Sequence, residues 1–174
     1  MMDGTRVVAV VRHGKAEAES ASGRDFDREL RPRGRRQAAF LASELGGAAS
    51  DAGEAAGVGR VVSSAAARAL ATAGAIAEAA DVSVLTDERL LVGMPASGAL
   101  EVIAEHVSDS FGMVVIAGHN PQLAEVVGHL MHGVGGVGGG VELKTGQAYL
   151  LRVRAADPMG GAEAVAVLRG EVEA

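Results

Sequence analysis

The chain of 174 residues has no cysteine, which excludes disulfides, thiolate metal sites and a cysteine nucleophile. Aromatic residues account for only 2% of it, against an apolar fraction of 48%. The core must therefore be built from Ala, Val, Leu and Ile. No segment approaches the ~20 apolar residues of a membrane span. The N-terminus also lacks the charged, apolar and cleavage regions of a secretory leader. A cytoplasmic protein with no membrane association is expected. Positive charge is scarce too: the net charge of −6 argues against nucleic acid as a general partner. The length suits a single domain, 1–174, which on folding buries roughly 70% of the surface its unfolded chain exposes.

The cations that are present are unevenly spread. Arg24, Arg28, Arg31, Arg33, Arg35 and Arg36 supply six of the sixteen Lys and Arg residues. Such a run reads either as the solvated start of a helix or as a basic rim that attracts an anionic substrate or an acidic protein.

Short apolar runs alternate with helical patterns. The runs are Val7–Val11, Arg60–Ser63, Val82–Thr86, Met113–Ala117, Ala148–Val153 and Ala164–Leu168. Between them, Ala38, Leu41, Ala42 and Leu45 fall at the spacing of one helix face, as do Leu100, Ile103, Ala104 and Val107, and Leu123, Val126, Val127 and Leu130. An Ala-rich helix is predicted over about Ala66–Ala80. This alternation predicts an α/β protein, a three-layer α/β/α sandwich with a mainly parallel sheet. The last two runs have no helix between them and predict an antiparallel edge. Two Gly-rich stretches, 46–59 and 133–141, are expected to be flexible loops. The second lacks the Lys-Ser/Thr of a phosphate-binding P-loop and precedes a strand.

In an open α/β sheet, ligands bind outside the carboxyl ends of the strands. Three such ends carry reactive groups. Val7–Val11 is followed by Arg12, His13 and Gly14; Arg60–Ser63 by "SAAARALATA", with Ser64 and Arg68; Met113–Ala117 by "GHNP", with His119, Asn120 and Pro121. Two arginines and two histidines thus meet at one sheet edge, beside helix N-termini that favour anions. The set suits a tetrahedral oxyanion, phosphate or its analogue sulfate. Guanidinium forks match phosphate oxygens, and a neutral imidazole can attack phosphorus. Singly, each of these residues reads more readily as an ordinary polar strand-end group or surface helix residue. Their joint placement carries the inference.

These segments resemble the histidine phosphatase (phosphoglycerate mutase-like) superfamily, and within it the short SixA-type phosphohistidine phosphatase branch. The resemblance rests on Arg12-His13-Gly14, on "DFDRELRPRG" (Asp25 to Gly34), on "SAAARALATA" (Ser64 to Ala73) and on "GHNP". It spans roughly Val7 to Val153. It implies a phosphoglycerate mutase-like fold. It further implies that His13 is a nucleophile, transiently phosphorylated, and that Arg12, Arg68 and His119 hold the phosphoryl oxygens, with no metal and no other cofactor. A phosphohistidine-bearing protein is the implied partner: a phosphorelay domain, a sugar-transport phosphocarrier or a similar signalling protein.

Larger members of this superfamily carry a glutamate general acid in a Leu-x-Glu pattern after the third strand. Here "DERLLVGMP" places Val92 at that point. Glu88 lies nearby but out of register, and Glu17 and Glu19 are further candidates, though both also read as solvated loop carboxylates. An alkoxide leaving group needs a positioned acid, whereas imidazole, with a pKa of ~6.5, leaves readily. The missing acid therefore favours phosphohistidine or another labile phosphoryl group. No inserted lid is evident, so an open pocket is expected. The competing readings are a broad-specificity small-molecule phosphomonoesterase and a non-catalytic phosphoprotein-binding module. His129 and His132 lack the further ligands that a metal would need, and His106 suits a helix C-terminus.

Overall fold

The computed structural model describes residues 4–51, 57–109, 112–133 and 141–170. Six strands form one sheet: β1 (Thr5–Arg12), β2 (Val58–Ser63), β3 (Val84–Thr86), β4 (Met113–Gly118), β5 (Gln147–Arg154) and β6 (Glu163–Arg169). Their spatial order is β3-β2-β4-β1-β5-β6. The first four in that order are parallel neighbours, and β5 and β6 add on antiparallel. The four helices are α1 (Pro32–Asp51), α2 (Ala67–Ala80), α3 (Ala96–Asp109) and α4 (Gln122–His132).

The central strands are continuous apolar runs because both of their faces are covered. Successive side chains in β1 point to opposite faces and enter separate cores. Val8 and Val10 pack with Val114, Ile116, Ile103, Leu123 and Val127 beneath α3 and α4. Val7, Ala9 and Val11 pack with Val115, Leu41, Leu45 and Ile76 beneath α1 and α2. Alanine at Ala69, Ala73 and Ala77 brings α2 close to the sheet without aromatic bulk, and all three are buried. The result is the three-layer α/β/α sandwich that the sequence predicts. No described helix is long and apolar enough to cross a membrane.

Most strands extend one or two residues past the apolar runs, and two boundaries differ for a specific reason. The stretch 46–59 is not a loop throughout: α1 runs to Asp51 and β2 begins at Val58, leaving 52–56 outside the described residues. The glycine pair Gly46–Gly47 is followed by Ala48 and Ala49, strong helix formers that carry α1 onward. At the other boundary, β3 starts at Val84 rather than Val82. The Val82 N–H caps α2 by donating to the Ala77 carbonyl at 3.0 Å and is no longer free for the sheet. The stretch 133–141 lies outside the described residues except for Gly133 and Val141.

The topology fixes where a ligand can bind. The chain leaves β1 toward α1 on one face and leaves β4 toward α4 on the other, so a crevice opens between the ends of these adjacent strands. Arg12 is paired with Gly118 across it.

Candidate active site

His13 sits just past β1, its N–H donating to the Gly118 carbonyl of β4 at 3.2 Å. The turn that follows is pressed onto the first turn of α1. A Cβ on Gly14 would lie 2.5 Å from the Gly34 carbonyl oxygen, and one on Gly34 would collide with the Lys15 carbonyl. Only glycine at both positions permits this approach. Further bonds hold the turn: Gly14 N–H donates to Thr72 Oγ1 (3.0 Å), and Lys15 N–H to the buried Gln37 side chain (2.9 Å). The nucleophile candidate therefore stands on a rigid mount.

The imidazole of His13 is also fixed in its tautomer. Nδ1 lies 2.7 Å from the Gly14 carbonyl oxygen, which can only accept, so Nδ1 carries the proton. Nε2 keeps its lone pair and accepts from Arg68 Nε at 3.3 Å. Arg68, on the first turn of α2, is buried. Its Nη1 donates to the Asp25 carbonyl at 2.8 Å and its Nη2 to the Asp25 carboxylate at 2.9 Å. Asp25 opens a 3₁₀ turn (Asp25–Asp27) and also receives Arg28 Nε at 2.9 Å.

His119 sits at the end of β4, its ring centroid 5.2 Å from that of His13. Its Nε2 lies 2.8 Å from Ser64 Oγ. Arg12 Nη1 and Asn120 Nδ2 both donate to the Leu143 carbonyl, at 3.0 and 2.7 Å. Pro121 precedes α4, after a cis Asn120–Pro121 bond. Arg12 Nε and His119 Nδ1 are buried and have no partner among the described residues. Such atoms are costly unless something fills the role of partner. Beside Arg68, they suit an anion's oxygens.

Burial and neighbouring cations set the charges. Desolvation lowers the His13 pKa to about 4, reinforced by Arg68, Arg12 and Arg28 and opposed by the bond to Gly14. Desolvation, with His13 and Arg68, lowers His119 to about 3. Both rings are neutral near pH 7. Burial alone would raise Asp25, but the Arg68 and Arg28 guanidiniums outweigh it and hold the carboxyl below the usual range. Burial lowers the Arg12 pKa from its ordinary value.

The structure thus gathers Arg12, His13, Arg68 and His119, with Ser64 and Asn120 behind them. It does not bring Glu17, Glu19 or Glu88 into the same cluster. Glu17 faces Arg31 at 3.8 Å, Glu19 lines a neighbouring cleft, and Glu88 is exposed on a 3₁₀ turn (Glu88–Leu90). Val92 is half exposed. Half of the basic run is ion-paired: Arg24 bonds Asp27 (2.7 Å), Arg28 bonds Asp25 and Arg31 faces Glu17. Arg24 and Arg28 line an open cleft of about 600 Å³ that reaches the site at Asp25. No metal-binding cluster occurs among the described residues, His129 and His132 included.

Asp25 is the site residue that sequence reasoning did not single out. Its only signal was its place at the head of "DFDRELRPRG", among other charged residues of an exposed turn.

Comparison with known proteins gives a partial family match and a shared fold. The model of the histidine phosphatase superfamily, branch 1, matches residues 8–91, a span that includes Arg12, His13, Asp25 and Arg68 and ends before His119. No curated protein matches the sequence. Solved structures match over nearly the whole chain. A candidate phosphohistidine phosphatase SixA from Nakamurella multipartitia aligns with a TM-score of 0.78 at 24% identity, covering 97% of this chain and 98% of its own. The protein histidine phosphatase SixA in complex with tungstate gives 0.74 at 17% identity, covering 94% and 96%. A mycobacterial glucosyl-3-phosphoglycerate phosphatase bound to VO3 gives 0.65 at 19%, covering 92% and 98%. The chain thus resembles the histidine phosphatase superfamily over residues 8–91, around the nucleophile candidate, and shares its fold from β1 to β6 with these solved structures.

Proposed function

We propose that the protein is a metal-independent phosphatase that hydrolyses phosphohistidine, or a similarly labile phosphoryl group, on a partner protein. One observation carries the proposal: the Nε2 lone pair of His13 is held by a fixed tautomer among arginine and histidine donors, two of which have no partner among the described residues. The oxyanions tungstate and VO3 held by similarly folded proteins support an anion at this place.

The incoming phosphoryl group takes over the Arg68 Nε donor from His13 and meets Arg12 Nε and His119. His13 Nε2 forms a bond to phosphorus as the bond from phosphorus to the substrate imidazole breaks. That imidazole takes its proton from water. Water then attacks phospho-His13, the P–Nε2 bond breaks, its electron pair returns to Nε2, and phosphate departs. Catalysis is positioning and charge stabilisation throughout, and the guanidiniums supply the positive charge.

The carboxylates support the choice of leaving group. Asp25, the one nearest the cluster, is held ionised by Arg68 and Arg28 and has no proton to give near pH 7. Without a positioned acid, imidazole is a far better leaving group than alkoxide. The open cleft at Asp25 leaves room for a side chain displayed on a folded domain. A phosphohistidine-bearing partner of this kind would place the protein in cytoplasmic signalling or phosphotransfer.

The test is hydrolysis of a phosphohistidine peptide and of a simple alkyl phosphate in metal-free buffer, for the unmodified protein and His13→Ala. Selective turnover of the peptide, abolished in the variant, is the expected result. Comparable turnover of a simple alkyl phosphate would shift the reading to a small-molecule phosphomonoesterase. Binding of the peptide without turnover would make the protein a binding module.

A further inference from the structure

The residue behind His119 carries information about the site's protons. Ser64 is fully buried in the segment between β2 and α2. Its backbone N–H donates to the Ala117 carbonyl at 3.0 Å, which anchors it to the end of β4. Its Oγ receives the Ala66 backbone N–H at 3.2 Å, and among the described residues the only other group on it is His119 Nε2 at 2.8 Å. A serine hydroxyl has one proton and two lone pairs. The Ala66 N–H occupies one lone pair. If His119 Nε2 also carried a proton, the hydroxyl hydrogen would be buried with no acceptor, at the cost of an unmade hydrogen bond. If Ser64 instead donates to Nε2, every group on this side is satisfied, and the His119 proton must sit on Nδ1.

We infer that Ser64 is a positioning residue that fixes His119 as the Nδ1–H tautomer, so that a neutral imidazole offers a hydrogen bond to the phosphoryl oxygen. The inference rests on the phosphoryl-transfer reading of the site. It deepens that reading by giving His119 a role that needs no positive charge. Nδ1 is buried and has no partner among the described residues. The surroundings of His119 agree with a neutral ring: His13 faces it from the end of β1, Arg68 from α2, and Arg12 adds to their effect, while only Asp25 opposes them. A second fixed cation next to two arginines would be opposed by repulsion. Ser64 removes the need for one. His13 and His119 then form a complementary pair, one offering a lone pair on Nε2 and the other a proton on Nδ1.

The experiment is ¹⁵N NMR of histidine-labelled protein at pH 7, free and with inorganic phosphate, for the unmodified chain and Ser64→Ala. In the unmodified protein, His119 is expected to show a protonated Nδ1 and an unprotonated Nε2. The Ser64→Ala variant is expected to lose that preference, His13 keeping its own. Its affinity for phosphate should fall roughly tenfold, as for a lost hydrogen bond to a charged group. A protonated Nε2 on His119 in the unmodified protein would overturn the inference outright, and this reading stands even if the variant fails to fold. An unchanged tautomer and unchanged phosphate affinity in a folded Ser64→Ala protein would overturn it equally. Neither readout requires turnover, so failure of the phosphohistidine assay leaves this result separately readable.

Discussion

Arg68 makes three different hydrogen bonds with its three nitrogens, and the geometry depends on all of them. Two go to Asp25 and lock the guanidinium plane, and the third points Nε at His13. A lysine would keep the charge and lose the fork. Arg68→Lys should therefore fold normally and lower kcat by about 10²–10³, the scale of removing one oxyanion-stabilising donor, as measured by phosphate release from a phosphohistidine peptide. A loss below tenfold would show that charge alone suffices. At this scale the sequence was informative where residue type and strand end coincided. Arg12 ends a strand and His13, Arg68 and His119 each follow one, and the structure brings them together. Asp25 follows no strand. Its role depends on where a 3₁₀ turn lays its carboxylate against α2, which no local pattern encodes.

At the level of elements, the contact between the His13 turn and α1 is made through glycine alone. Gly34 is buried on the first turn of the helix, in contact with Lys15 main-chain atoms. Backbone cannot yield as a flexible side chain can, so one added methyl group must separate the turn from the helix. Gly34→Ala should cost about 1–3 kcal/mol in urea unfolding, the usual range for overpacking, and should reduce turnover more than stability, because the displaced turn bears the proposed nucleophile. Unchanged stability and activity would mean that the turn is not seated there. Most elements were legible from periodicity, since β1, β4 and the helices repeat apolar residues at their own spacings. The ends were not. The far end of α1 was masked by Gly46–Gly47, although Ala48 and Ala49 extend the helix. The start of β3 was hidden because Val82 is apolar yet serves α2 as its cap.

Across the whole molecule, two buried neutral histidines tie stability to pH. Their folded pKa values, about 4 for His13 and about 3 for His119, lie below the ~6.5 of an unfolded chain. The unfolded state therefore binds more protons between these values. The stabilisation is fully present above pH 6.5 and is lost as pH falls toward the folded values. Each histidine should cost about 2 kcal/mol between pH 6.5 and 5. Urea titrations at pH 7.5 and 5 should show the decrease, and His119→Asn should flatten it. An equal dependence in that variant would assign the effect to other groups.

The position of β1 at the middle of the sheet has a consequence for synthesis. Its partners are β4, about a hundred residues later, and β5, later still. A ribosome therefore releases Arg12 and His13 early, on a strand that has no neighbours until most of the chain has emerged. Closing such long loops is entropically slow. During translation the apolar Val7–Val11 run stays unpaired, exposed to chaperones or to other nascent chains.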